Sequence, residues 1–222
     1  MNDLFKKRKD FYFIRHAESL GNIGIDSGYD PDLSPAGYVQ AAECSEFMKK
    51  HCDSTTVIYS SPFKRTVRTA QAIAKNANTK IILEPALHEF FAVEWYPLNR
   101  VKLPSLKQIA ATNDNILDMD YPDDQWWPYK NEDSQALTLR LGMLKNHLLS
   151  DHVRGKKIVC LGHWASVAGI VNLMCPQIYM EVVYNTGITK IVYDGQRCEP
   201  VFINEASFLS RPAKRNKTEF SE

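Results

Sequence analysis

Short apolar runs alternate with segments of helical spacing along most of this 222-residue chain. Phe11–Ile14, Thr56–Tyr59, Lys80–Leu83, Lys157–Leu161, Ile188–Tyr193 and Pro200–Ile203 read as strands. Two helices are expected to open on a Ser N-cap followed by Pro at the first helical position, one from Ser34-Pro35 towards Lys50 and one from Ser61-Pro62 to about Ala74. A third follows His163 through Val167, Ile170, Val171 and Met174 until Pro176 stops it. A fourth, Ala136 to Leu149, carries Leu137, Leu141, Leu144 and Leu148 at helical spacing.

Strands that alternate with helices need crossover connections, which favour a parallel sheet covered on both faces. The expectation is an α/β fold: a three-layer α/β/α sandwich with a mostly parallel central sheet and a long insertion after the third strand. Residues 90–133 break the rhythm and are rich in aromatic residues, Pro, Asn and Asp, including Trp95, Tyr96, Trp126, Trp127 and Tyr129. A loop of that length inside a compact domain is usually functional, and this one reads as a lid-like segment. Residues 1–222 are read as a single domain. The basic run Lys6-Lys7-Arg8-Lys9 reads as a solvated arm, and residues 210–222 as a loose tail.

Composition narrows the function classes. Lys and Arg total 27 against 26 Asp and Glu, and this near-balance argues against a nucleic-acid-binding or membrane-binding surface. The five cysteines contain no C-x-x-C pair, which disfavours a disulfide framework or a zinc cage and fits a reducing, cytoplasmic setting. The apolar run Phe11–Ile14 is too short for a secretory signal, and no stretch approaches a membrane span.

The strand ends hold the chemistry. In a parallel sheet, ligands gather beyond the carboxyl ends of the strands. There the sequence places Arg15-His16, Ser60-Ser61 and Gly162-His163, with Arg65 and Arg68 on the helix that follows Ser61. Guanidiniums and helix N-termini suit a phosphate dianion, and a neutral imidazole can attack phosphorus without first losing a proton.

These residues resemble the histidine phosphatase superfamily (phosphoglycerate mutase-like). Arg15-His16-Ala17-Glu18-Ser19-Leu20-Gly21-Asn22 is similar to R-H-G-E-[ST]-x-x-N, and Asp32-Leu33-Ser34-Pro35-Ala36-Gly37 with Gln40-Ala41 to D-x-x-L-[ST]-x-x-G-x-x-Q-A. Ser60-Ser61 through Arg65 to Thr69-Ala70 resembles S-S-x-x-x-R-x-x-x-T-A, Leu87-His88-Glu89 falls at L-x-E, and Gly162-His163 at the second histidine. The blocks occur in family order between residues 11 and about 170.

The resemblance implies a metal-independent phosphatase that needs no cofactor and hydrolyses phosphomonoesters through a phosphohistidine on His16. It implies that Arg15, Arg65 and His163 hold the phosphoryl group, with Asn22 as a further donor, and that Glu89 protonates the leaving oxygen; Glu84 and Glu94 lie close to Glu89 in sequence. The offset to Thr69-Ala70 selects Arg65 over Arg68, which reads as a peripheral cation. Glu18 and Ser19 either brace the loop or touch ligand. His51, His147 and His152 read as solvated.

Two departures stand out. Ala17 replaces the usual Gly, and Trp164 follows the second histidine, where an indole is expected at the pocket mouth. Phosphoglycerate-mutase-type transfer ranks lower, because Glu89 is followed by Phe90-Phe91-Ala92-Val93 rather than the mutases' E-R-x-Y-G-type stretch. A non-catalytic phosphate- or phosphopeptide-binding module is the other alternative. The expected partner is a phosphorylated small molecule or a phosphotyrosine-containing protein, with no nucleic acid and no membrane. A cysteine-based phosphatase fails, since no cysteine has Arg six residues later. Asp118-Met119-Asp120 lacks the preceding strand of an aspartate nucleophile, and there is no Walker-type loop.

Overall fold

The structure, a computed structural model, describes residues 8–92, 96, 98–153 and 157–211. Lys6, Lys7, Glu94, Trp95 and the tail beyond Arg211 lie outside the described residues. Strands β1 (Lys9–Arg15), β2 (Val57–Ser60), β3 (Ile81–Leu83), β4 (Lys157–Gly162), β5 (Ile188–Tyr193) and β6 (Cys198–Glu205) form one sheet in the order β3-β2-β4-β1-β5-β6. Strands β1 to β4 are parallel, and β5 runs against both of its neighbours, β1 and β6.

Because side chains alternate across a strand, β1 feeds both core layers. Tyr12 and Ile14 pack with Cys44 and Met48 of helix α1 (Pro35–Met48), Val67 and Ile73 of α2 (Lys64–Ala77) and Leu106 and Ile109 of α3 (Leu106–Thr112). Phe11 and Phe13 pack on the other face against Leu141 and Leu144 of α4 (Ser134–Leu149) and Val167 and Ile170 of α5 (Trp164–Met174). The result is the expected three-layer sandwich. Burying each such side chain contributes roughly 1.5–3 kcal/mol, so the doubly buried β1 is a rigid mount for whatever follows it.

Several local expectations need correction. The Ser61-Pro62 signature does not start α2; the helix begins at Lys64 with Phe63 as N-cap and no side-chain cap, and Ser61 Oγ lies 2.9 Å from Nε2 of His163. Helix α4 begins two residues before Ala136, where the Asp133 carboxylate accepts from Ala136 N at 2.8 Å. The segment expected as an irregular insertion is not structureless, since α3 forms within it behind a capping box from Ser105 and Gln108. Lys9 is not part of a solvated arm: its buried ammonium donates to Leu148 O (2.9 Å) and Ser150 O (2.6 Å), the carbonyls at the end of α4. His51 is half-buried among Tyr12, Phe47 and Phe202, while His147 and His152 are exposed.

Candidate active site

The sheet register brings the two motif histidines together. Arg15 of β1 pairs with Gly162 of β4, so His16 and His163, the next residue on each strand, emerge side by side. Their ring centroids are 5.1 Å apart. From this point the chain leaves β1 towards α1 on one face and leaves β4 into α5 on the other. Such a divergence opens a crevice beyond the strand ends.

The loop after His16 is clamped by the second motif. Ser34 Oγ donates to Glu18 Oε1 (2.6 Å) and accepts from Gly37 N (3.0 Å), and Gln40 Oε1 accepts from Glu18 N (2.8 Å). Gly37 is required because a Cβ there would lie 1.9 Å from the Glu18 carbonyl oxygen. Glu18 therefore braces the loop. Ala17 N donates to Thr69 Oγ1 at 3.0 Å, and its methyl is fully buried with Leu33 and Ala41, so the departure from Gly is absorbed by packing.

His16 is buried, and its Nδ1 lies 2.7 Å from Ala17 O. A carbonyl can only accept, so Nδ1 carries the proton and Nε2 keeps its lone pair. Arg65 confirms this polarity by donating from Nε to His16 Nε2 at 3.3 Å. Arg65 Nη2 reaches Tyr96 Oη (3.3 Å). Its buried Nη1 makes no hydrogen bond and sits 3.9 Å from Asp30. Arg15 donates from Nη1 to Val183 O at 2.6 Å.

His163 is fully buried, with Nε2 2.9 Å from Ser61 Oγ. Its Nδ1 has no hydrogen-bond partner and lies 3.7 Å from Glu89 Oε2. Burial holds both imidazoles well below their ordinary range, and the cationic Arg65 adds to the effect in each. Both rings are therefore neutral near pH 7.

A cleft of about 330 Å³ opens here, lined by Arg15, His16, Asn22, Arg65 and Glu89 among others; the fully buried His163 is not among the lining residues and stands beside His16. Asn22 Oδ1 is occupied by Ser19 N (3.0 Å) and Asn185 Nδ2 (3.3 Å), which fixes its amide. Glu84 is turned to cap Ala86 N (2.8 Å), so it is not an alternative to Glu89. Arg68 bonds Gln71 and Asn113 and is not among the cleft-lining residues. The indole of Trp164 does not reach the mouth; its Nε1 donates to Glu181 O at 2.9 Å.

Four supporting residues escaped the sequence reading. Asn185 donates to His16 O (2.9 Å), and Thr186 N to Arg15 O (3.1 Å), with Thr186 held at a φ of 55° that a β-branched residue rarely adopts. The Asn185-Thr186-Gly187 turn ahead of β5 was the available signal. Glu132 and Arg140 form a two-bond ion pair (2.8 and 2.9 Å), and Arg140 also bonds Ala86 O and His88 O. That pair anchors the backbone on which Glu89 sits; nothing in the sequence marked it.

A family model described as "Histidine phosphatase superfamily (branch 1)" matches residues 11–206. The chain belongs to this superfamily. It is 29% identical over 208 residues to a Hydrogenobacter thermophilus protein named "Putative phosphoserine phosphatase 2", covering 89% of this chain and 96% of that one. A phosphoserine phosphatase mutant from Entamoeba histolytica, solved in complex with phosphoserine, superposes with a TM-score of 0.63 at 25% identity, over 90% of this chain and 99% of that one. A Bacillus anthracis phosphoglycerate mutase shares the fold, with a TM-score of 0.68 at 16% identity over 93% and 97% of the two chains. The superfamily places the chain among phosphatases and phosphoglycerate mutase-like enzymes. Among the described residues, no helix is long and apolar enough to cross a membrane, and no group of three or more His, Cys, Asp or Glu side chains could hold a metal ion.

Proposed function

We propose that the chain is a metal-independent phosphomonoesterase that works through a phosphohistidine on His16. The observation that carries this reading is the Nδ1 bond to Ala17 O, which leaves Nε2 unprotonated in a cleft beside Arg65. The Nε2 lone pair attacks phosphorus in line with the ester oxygen. As the N–P bond forms, the P–O bond to the leaving group breaks, and that oxygen takes a proton from the Glu89 carboxyl. Water then attacks the phosphohistidine while Glu89 accepts its proton, and inorganic phosphate leaves with His16 regenerated.

Arg15 and Arg65 supply the positive charge that the equatorial oxygens need, in place of a metal ion. His163 completes the cradle. Its Nε2 lies 2.9 Å from Ser61 Oγ, and its unpartnered Nδ1 lies 3.7 Å from Glu89 Oε2. Asn22 adds a donor at the rim. The segment 90–133 acts as the lid over Glu89, and the setting is cytoplasmic. The substrate is a phosphorylated small molecule or a phosphotyrosine-containing protein; the phosphoserine phosphatases among its relatives favour the former.

His16→Ala should abolish phosphate release from p-nitrophenyl phosphate, and EDTA should leave the unaltered enzyme fully active. Full activity in the variant would refute the nucleophile, and loss of activity in EDTA would refute metal independence. Phosphoglycerate in a coupled assay separates hydrolysis from mutase-type transfer.

A further inference from the structure

Among the described residues of the 90–133 segment, Tyr96 alone lines the cleft, alongside His16, Arg65 and Glu89. It is held firmly there. Its amide N donates to Ala92 O at 2.8 Å, and Asn131 Nδ2 donates to its carbonyl O at 2.8 Å. The ring packs against Phe91 and Phe63, with centroids 4.6 and 6.0 Å away, and the residue is only 8% exposed. A phenol taken out of water in this way needs partners for its hydroxyl.

That hydroxyl is only half satisfied. Tyr96 Oη accepts from Arg65 Nη2 at 3.3 Å. An oxygen that accepts from a guanidinium turns its own proton away from it, and among the described residues no acceptor takes that proton. Burial raises the phenol above its ordinary range, so the proton stays on the oxygen. The bond from a cation also polarises the O–H and makes it a stronger donor. The same guanidinium sets its position. Arg65 Nε donates to His16 Nε2 at 3.3 Å, and Nε and Nη2 lie on one edge of the planar group. Tyr96 Oη therefore stands along the same edge as the nitrogen whose lone pair faces the substrate.

We propose that Tyr96 is a further catalytic residue, whose hydroxyl donates a hydrogen bond to an equatorial oxygen of the phosphoryl group as that group passes from the ester oxygen to His16 Nε2. The phenol keeps its proton throughout, and protonation of the leaving oxygen stays with Glu89. The 90–133 segment thereby supplies a donor to the phosphate cradle as well as a cover for it. This assignment rests on the phosphatase reading above and adds a residue to the same site.

The test is Tyr96→Phe in the full chain, which keeps the ring on Phe63 and Phe91 and removes only the oxygen. With p-nitrophenyl phosphate, kcat should fall on the order of 100-fold, as for loss of one donor to a transition-state oxyanion. Inhibition by orthovanadate, which mimics the transition state, should weaken by a comparable factor, while the urea midpoint stays near the parent's. Repeating the substitution in Arg65→Lys separates direct contact from positioning. A donor to the phosphoryl oxygen lowers kcat again by a similar factor, whereas a residue acting only through the guanidinium adds no further loss. Turnover and vanadate inhibition within about three-fold of the parent overturn the proposal and leave the phosphatase reading standing. A loss that vanishes in the Arg65→Lys background does the same. A parent that hydrolyses no phosphomonoester overturns both.

Discussion

Arg65 donates from Nε to the unprotonated Nε2 of His16 across 3.3 Å, and both side chains are buried. A strained or mispaired arrangement would leave that lone pair without a cation beside it. Instead, the guanidinium is also held by Tyr96 Oη and stands near Asp30. In the proposed reaction it exchanges its bond to His16 for bonds to the phosphoryl group.

Arg65→Lys keeps the charge but loses the planar fork that spans His16 and Tyr96. Its kcat/KM for p-nitrophenyl phosphate should fall on the order of 100- to 1000-fold, as for loss of a donor to a transition-state oxyanion. Steady-state kinetics measure this, and a variant within about three-fold of the parent would contradict the role given to the guanidinium.

Gly37→Ala should damage both fold and activity. The added methyl would sit 1.9 Å from Glu18 O, so α1 and the loop after His16 must separate. A loss of roughly 2 kcal/mol or more is expected in urea unfolding, with reduced turnover because that loop leads directly out of His16, the proposed nucleophile. Unchanged stability would mean that the clamp is looser than its hydrogen bonds imply.

Arg140→Ala leaves the nearly buried Glu132 carboxylate unpaired and removes the donor to Ala86 O and His88 O. A destabilisation of about 3–5 kcal/mol follows from stranding a buried charge, measurable by chemical denaturation. Turnover should fall as well, since the segment bearing Glu89 loses its anchor.

Stability should decline as pH drops below the ordinary imidazole value near 6.5. Burial depresses His16, His88 and His163 well below it, so just under that pH the unfolded chain binds protons that the native state refuses. Stability then rises with pH by about 1.4 kcal/mol per pH unit for each such group, and the loss continues downward until the native values are reached. Asp30 and Glu84, raised by burial, act in the opposite direction at lower pH, so the clean window lies just below about pH 6.5. Urea midpoints across that window measure the slope. A flat profile would contradict the neutral, buried histidines.

Local pattern made most of the sheet and its chemistry legible. His16 and His163 each follow a strand of near-continuous apolar residues, and only a parallel pairing of those strands sets them side by side. Glu18, Ser34, Gly37 and Gln40 could be aligned as motif positions, but their purpose, closing a hydrogen-bonded clamp, needed coordinates. The Ser61-Pro62 start of α2 misled: the helix begins three residues later, at Lys64, and the Ser61 hydroxyl faces a long-range partner, His163. Helix α3 was signalled by Ser105-x-x-Gln108 yet hidden by the irregular composition around it. Lys9 and the Glu132–Arg140 pair were illegible, because the value of a charge depends on carbonyls or partners that only the fold brings near.

The central claim concerns a covalent bond at one atom, and rapid quenching tests it most directly. Enzyme mixed with radiolabelled phosphomonoester and quenched in alkali should carry an acid-labile, alkali-stable phosphoryl group that peptide mapping places on His16. The label should be absent in His16→Ala and chase into inorganic phosphate in the parent. A label on another residue, or phosphate released at full rate with His16 never modified, would contradict it.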